Sequence, residues 1–146
     1  MKWTAVRLAI LTAIFALPVA LSACAPQETD LAGATWLLDM PEEWGVTPEG
    51  LTPTEVTLEF LPQDGAVRGA FAYQEYSGDY AVDGEAISFS RLGWATYCCP
   101  TTGGTMPREQ AYMFALGDAR SYAVDGDILT IDCGELVLEF TRRHAT

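Results

Sequence analysis

The ten residues Tyr80–Phe89, Tyr-Ala-Val-Asp-Gly-Glu-Ala-Ile-Ser-Phe, return in a second version as Tyr122–Ile131, Tyr-Ala-Val-Asp-Gly-Asp-Ile-Leu-Thr-Ile. Each copy reads as strand, Asp-Gly turn and strand, because the glycine takes up the positive φ that a tight hairpin needs. This pattern constrains the fold more than any other. A lone two-stranded hairpin is marginal in water, so two of them require further strands to share a core. Two copies are too few for a solenoid, which stacks at least three repeats. Duplication and convergence on good turn chemistry both account for the likeness.

The rest of the chain supplies those strands. Thr35-Trp36-Leu37-Leu38 reads as the first, and a long loop with three prolines and two glycines follows from Met40 to Pro53. Glu55 to Leu61 alternates, with Val56, Leu58 and Phe60 on one face and Glu55, Thr57 and Glu59 on the other. Gln63-Asp64-Gly65 supplies a turn, and Val67 to Tyr73 and Tyr76 to Val82 make two more strands. Leu136 to Phe140 alternates and closes the series. One stretch breaks the pattern. From Arg108 to Leu116 the residues Tyr112, Met113 and Leu116 share a helical face, with Pro107 suited to a first turn and Gly117 to a stop. The expected fold is mainly β (α+β): a small antiparallel sheet or partly closed barrel of short strands with one short helix.

The N-terminus carries an address. Lys2 and Arg7 precede an apolar run from Leu8 to Leu21, which Pro18 interrupts and which falls short of the ~20 residues of a spanning helix. Residues 1–23 therefore read as a cleaved signal peptide. The run closes on Leu21-Ser22-Ala23-Cys24, which resembles a bacterial lipobox. In that motif the Cys24 thiol accepts a diacylglyceryl group before cleavage, and several acyl chains hold a protein on a membrane where one does so only marginally. Ordinary secretory cleavage near Ala23 is the plainer alternative. Residues 24–31 form a polar, lipidated tether, and 32–146 the body. In Gram-negative lipoproteins an Asp after the cysteine favours the inner membrane. Ala25 lacks that signal, so the resemblance points to the periplasmic face of the outer membrane.

Charge narrows the partners. Without Lys2 and Arg7 the mature chain holds 8 − 2 = 6 arginines against 20 acids, a net of 6 − 20 = −14. Such a surface repels phosphate backbones and argues against nucleic acid. It also argues against electrostatic docking on anionic lipid, which leaves the lipid on Cys24 as the membrane contact. Solvated acids are the plain reading of the excess.

No catalytic constellation stands out, and the expectation is a protein that is not an enzyme and carries no cofactor. His144, the single histidine, lies near a C-terminus that readily frays. Asp125-Gly126-Asp127 with Asp132 lacks the ligand series of a calcium loop, and its Asp-Gly serves a turn better. Cys98, Cys99 and Cys133 fall short of four zinc ligands, so no metal is expected. Disulfide chemistry suits an exported chain better. Glu42 and Glu43 beside Trp44 are the best candidate contact patch, although solvated acids next to a packed Trp are the stronger reading.

The order of motifs resembles the META domain of HslJ-like heat-shock lipoproteins. Trp36 matches the opening strand, and Gly69 with Ser77-Gly78-Asp79-Tyr80 and Ile87-Ser88-Phe89 match the middle. Thr96 with Cys99-Pro100 matches a threonine–cysteine segment. Glu109, Tyr112 and Leu116 match the helix, and Leu129 with Leu136–Phe140 the close. Two departures stand out: Tyr73-Gln74 replaces the family's Cys-Asn pair, and the threonine-to-cysteine spacing is short. The resemblance implies a link to heat shock and novobiocin tolerance, with no defined reaction.

Once Cys24 carries lipid, three thiols remain, enough for one internal disulfide. Cys133 shares parity with Leu129 and Ile131 and so should face the core, while Cys98 and Cys99 point to opposite faces of an extended chain. Either can be its partner on that ground. The resemblance favours Cys99, giving a Cys99–Cys133 bond. The functional expectation is a non-catalytic envelope lipoprotein that binds or scaffolds an unidentified envelope protein or ligand. The alternative is a lipidated inhibitor of a cell-wall hydrolase or protease, and an unrecognised enzyme comes last.

Overall fold

Strand alternation becomes an inside and an outside. In the computed structural model, which describes residues 28–41, 44, 55–71, 74–95 and 106–144, the inward set Val56, Leu58 and Phe60 is buried while Glu55 is exposed and Thr57 and Glu59 are half-buried. The elements run α1 (Glu28–Leu31), β1 (Thr35–Asp39), β2 (Thr57–Leu61), β3 (Ala66–Phe71), β4 (Gln74–Asp83) and β5 (Ala86–Trp94). They continue with α2 (Met106–Gly117), β6 (Ser121–Asp125), β7 (Ile128–Asp132) and β8 (Val137–Arg143). Each strand pairs antiparallel with the next, and β8 returns to β1 from Thr35↔Arg143 to Asp39↔Glu139, so the sheet closes into an eight-stranded up-and-down barrel.

Closure removes free edges and leaves an interior that side chains must fill. They fill it in two aromatic layers. Phe60, Tyr80 and Phe89 pack together toward one end, with Phe60 and Tyr80 edge to face at 5.0 Å between centroids. Phe71, Tyr76 and Tyr112 pack toward the other. Outward strand positions include Glu75, Ser77, Ser88, Ser90 and Glu139, all exposed. That polar exterior is the opposite of the apolar band of a membrane barrel.

The two echoing hairpins turn as the repeat predicts. Registers Asp83↔Ala86 and Asp125↔Ile128 leave two-residue loops, with Gly84 at φ 61° and Gly126 at φ 60°. Glycine stands at the first loop position, and the residue after it, Glu85 or Asp127, keeps a negative φ. This is the sign pattern of a type II′ turn, in which Asp is the last strand residue and not part of the loop. Between them the barrel wall changes character. β5 and β6 share one register pair, Ala86↔Ser121, supported by Ile87 N donating to Arg120 O at 3.1 Å and Tyr122 N to Glu85 O at 2.9 Å. Beyond that point α2 takes the place of a strand, with Met113, Phe114 and Gly117 across a groove from Phe89, Ser90, Arg91 and Leu92.

The up-and-down order sorts the connections. The turns after β2, β4 and β6 lie at a lower end with the start of β1, the start of α2 lies at the upper end by Gln74, and the turn after β7 lies beside Asp118–Arg120, just past the end of α2. The body begins earlier than the 31/32 boundary read from composition. Leu31, taken as the last tether residue, is fully buried, and Ala32 bridges to Phe60. β2 begins at Thr57, with Val56 held in an isolated bridge to Phe71. β3 ends at Phe71, and the remainder of its expected length, residues 72 and 73, lies outside the described residues. The expected helix gains a residue or two at each end, and Tyr112 and Leu116 are fully buried on its inner face.

Candidate functional site

The chemistry-bearing groups that the fold brings together sit at the upper end. Gly69 on β3 faces Tyr76 on β4 across the sheet, and the Tyr76 ring lies over the missing side chain. A Cβ at position 69 would collide with the Thr57 carbonyl oxygen and come within 2.5 Å of the Tyr76 hydroxyl. The glycine thus lets an aromatic neighbour lie flat across it. Tyr76 donates its hydroxyl proton to Thr57 O at 2.7 Å. That proton being used, the 2.6 Å contact with Tyr112 has Tyr112 as donor and Tyr76 as acceptor.

Burial pushes both phenols above their usual range. For Tyr112 the neighbouring Tyr76 adds to the effect of burial, whereas the hydrogen bond from Tyr112 partly offsets it for Tyr76. Both stay protonated at neutral pH, so the pair is a neutral hydrogen-bonded relay and not a base. Trp44 meets Tyr112 edge-on at 6.5 Å, and Trp94 meets Tyr76 at 6.0 Å. Glu109, on the same helix, is 3% exposed and accepts from Gln74 Nε2 at 3.2 Å.

Cys133 belongs to the same neighbourhood. It is buried as its parity predicts, forms no disulfide among the described residues, and lies against Tyr112 closely enough to influence its ionisation. Burial first, and then Asp132 and Asp118, push the thiol up to about 12. At neutral pH it is therefore a poor nucleophile. Cys98, Cys99, Thr96 and Pro100 lie outside the described residues, as do Cys24 and the pair Glu42 and Glu43. Of the expected contact patch only Trp44 is placed, and it is half-buried and packed on the aromatic cluster.

The remaining candidates are separated by the fold. His144 is exposed and contacts Asp127 Oδ2 at 2.9 Å, which places the histidine on a hairpin turn far along the barrel from the tyrosines. Asp125 ends β6, while Asp132 Oδ1 accepts from Gly134 N at 2.7 Å in the turn after β7. Asp125 and Asp132, whose stretch lacks a calcium-loop ligand series, therefore lie beside two different turns. Among the described residues no group of three His, Cys, Asp or Glu side chains is arranged to hold a metal.

At the lower end, a cavity of about 440 Å³ runs between Ala32–Thr35, Glu59–Asp64 and Arg68. Partial burial raises the Glu59 carboxyl, but hydrogen bonds from Arg68 at 2.8 Å and Thr35 at 2.9 Å outweigh it and hold the carboxyl below its usual range. Sequence reasoning did not find the Tyr76–Tyr112 relay. The one available signal was Gly69 opposite an aromatic residue, which is visible only once the register is known.

A family model of the META domain matches residues 29–145. An NMR structure of a protein from Burkholderia xenovorans aligns with TM-score 0.56 at 24% identity, covering 79% of this chain and 85% of that one. A second NMR structure of a protein aligns with TM-score 0.55 at 13% identity, covering 80% and 94%. A crystal structure of a DUF4847 family protein from Bacteroides vulgatus gives TM-score 0.47 at 17% identity and covers 62% of this chain. The chain spans only 61% of that protein's length. No curated protein matches the chain. With the family model spanning the barrel from α1 to the end of β8, the chain belongs to the META domain family.

Proposed function

We propose that the protein is a lipid-anchored component of the cell envelope whose META domain binds or scaffolds an envelope partner, without catalysis, in the response to envelope stress or antibiotic exposure. The observation that carries this reading is Leu21-Ser22-Ala23-Cys24 at the close of the apolar run that follows Lys2 and Arg7. Ala25 directs the anchored protein to the outer membrane in a host with two membranes. The body's chemistry accords with a binding role. Its interior is packed with side chains, its buried phenols are held protonated, and its outer strand faces are polar.

The test is detergent phase partition of the protein expressed in a Gram-negative host, comparing wild type with Cys24→Ser. Wild type is expected in the detergent phase and the variant in the aqueous phase, since two or three acyl chains anchor where none cannot. Equal partition of the two into the aqueous phase rejects the anchor. The stress role has its own measurement: deletion of the protein should lower survival under heat or novobiocin, and Cys24→Ser should fail to restore it.

A further inference from the structure

We infer that the barrel stands on its lower end above the lipid surface, with the β2–β3, β4–β5 and β6–β7 turns toward the headgroups and the α2 end facing the aqueous compartment. The inference rests on the anchoring at Cys24 proposed above.

Three residues, 25–27, separate Cys24 from Glu28, the first residue of α1. Four Cα steps span at most about 14 Å even when fully extended. The lipid therefore holds whatever surface α1 occupies, and α1 is at the lower end. The junction there is built from several independent ties. Leu31 is fully buried, and its carbonyl accepts from Trp36 Nε1 at 3.0 Å. Asp30 O accepts from Arg142 Nη2 at 3.0 Å, and the Arg142 guanidinium lies 4.5 Å over the Trp36 ring. Ala32 is bridged to Phe60. A segment fastened to β1, β2 and β8 at once cannot swivel against the barrel, so the position of the anchor is transmitted to the whole domain.

Charge does not oppose this arrangement. Asp64, Asp83, Glu85 and Asp125 are exposed at or beside the lower turns. Anionic headgroups repel them only within about a Debye length, ~8 Å at physiological ionic strength. At its full reach of about 14 Å the link lets the rim stand off beyond that distance. The competing arrangement is a barrel rolled onto its side, with Phe114, 73% exposed on α2, pressed into the bilayer. One aromatic ring on an otherwise acidic chain offers little against a link that short.

The upright pose leaves three features open to the compartment: the upper turns, the start of α2, and the groove between α2 and β5. The test places a fluorescent amino acid at Glu85, in a lower turn, or at Gln110, near the start of α2, in the full chain. Each form is reconstituted in phosphatidylcholine–phosphatidylglycerol vesicles with an acceptor on the headgroups. β4 climbs ten residues between these levels, a height of roughly 20 Å at usual rise and tilt. Energy transfer should be clearly greater from position 85 than from 110. Equal transfer, or greater transfer from 110, overturns the upright pose. Sedimentation with vesicles separates this from the anchor itself. If Cys24→Ser sediments as fully as wild type, the anchoring reading fails and the pose with it. If sedimentation depends on Cys24 and transfer is equal, the pose alone is wrong.

Discussion

Gly69 and Gly126 are both glycines for steric reasons, but the reasons differ and so do the expected costs of replacing them. Gly126 sits in open space at φ 60°, so a side chain there meets only backbone strain. Gly126→Val should lower stability by ~1 kcal/mol or somewhat more, the usual cost of a β-branched residue in the left-handed region. Gly69 has ordinary room in φ and none in space, because Thr57 O and the Tyr76 ring occupy it. Gly69→Ala should cost about 3 kcal/mol, the upper range for overpacking, since the obstacle includes main chain that cannot rotate away. Denaturant midpoints of the two variants check both figures, and a smaller loss at position 69 than at 126 contradicts the account. Gly69 was legible as a motif position but not as a packing constraint, because its partner Tyr76 is set by register.

At the level of elements, the strands and hairpins follow from local pattern and the joins between them do not. The alternation of Val56, Leu58 and Phe60 places those residues inside without further information. The irregularity between β4 and β5 is different. Register runs Ser77↔Gly93 and then Asp79↔Ser90, which gives β5 an extra residue, and Arg91 takes φ 52° with its guanidinium paired to Asp79. Gly78 stands opposite, where a Cβ would come within 2.7 Å of Leu92. Such a bulge bends a strand, and it occurs where β5 leaves β6 and meets α2. The segment joining β5 to α2 carries Cys98 and Cys99, which lie outside the described residues, and Cys133 stands in the turn after β7. A Cys99–Cys133 bond would clip that segment to the closing hairpin. Its loop of about thirty residues suggests ~3–4 kcal/mol in the chain-entropy model. Non-reducing peptide mapping of periplasmically expressed Cys24→Ser protein should recover the Cys99–Cys133 peptide. A Cys98–Cys99 bond or three free thiols rejects the pairing, and the free thiol of Cys133 then stands as the native state.

The molecule as a whole should be sensitive to alkali for a reason located in its upper end. Tyr112 and Tyr76 are raised above their ordinary value of 10.0 mainly by burial. The unfolded chain therefore loses these protons first as pH rises, and above about pH 10 it binds fewer protons than the folded barrel. Stability falls with pH wherever that holds, so the contribution of the neutral phenols is intact below the unfolded value and lost progressively above it. Thermal midpoints should be flat with respect to these groups from pH 7 to 9 and decline from about pH 10 upward. Tyr112→Phe should flatten part of that decline while leaving Tyr76 its bond to Thr57 O. A decline of the same slope in Tyr112→Phe places the alkaline transition elsewhere.

Sequence by itself determined which segments are strands, which faces they bury, where the hairpins turn and where the longer helix, α2, lies. Each of these depends on neighbours within one element: a period of two, a period of 3.6, or a glycine after an aspartate. It also carried the family, because Trp36, Gly69, Gly78 and the helix residues recur in order along the chain. Tertiary structure alone decided that β8 returns to β1, that α2 replaces a strand beside β5, and that Leu31 belongs to the core. The same holds for Tyr76, Tyr112, Glu109 and Cys133, which come from one strand, one helix and one turn and meet only when the ring closes. Closure is a property of strand number, tilt and stagger taken together, and no local pattern encodes it.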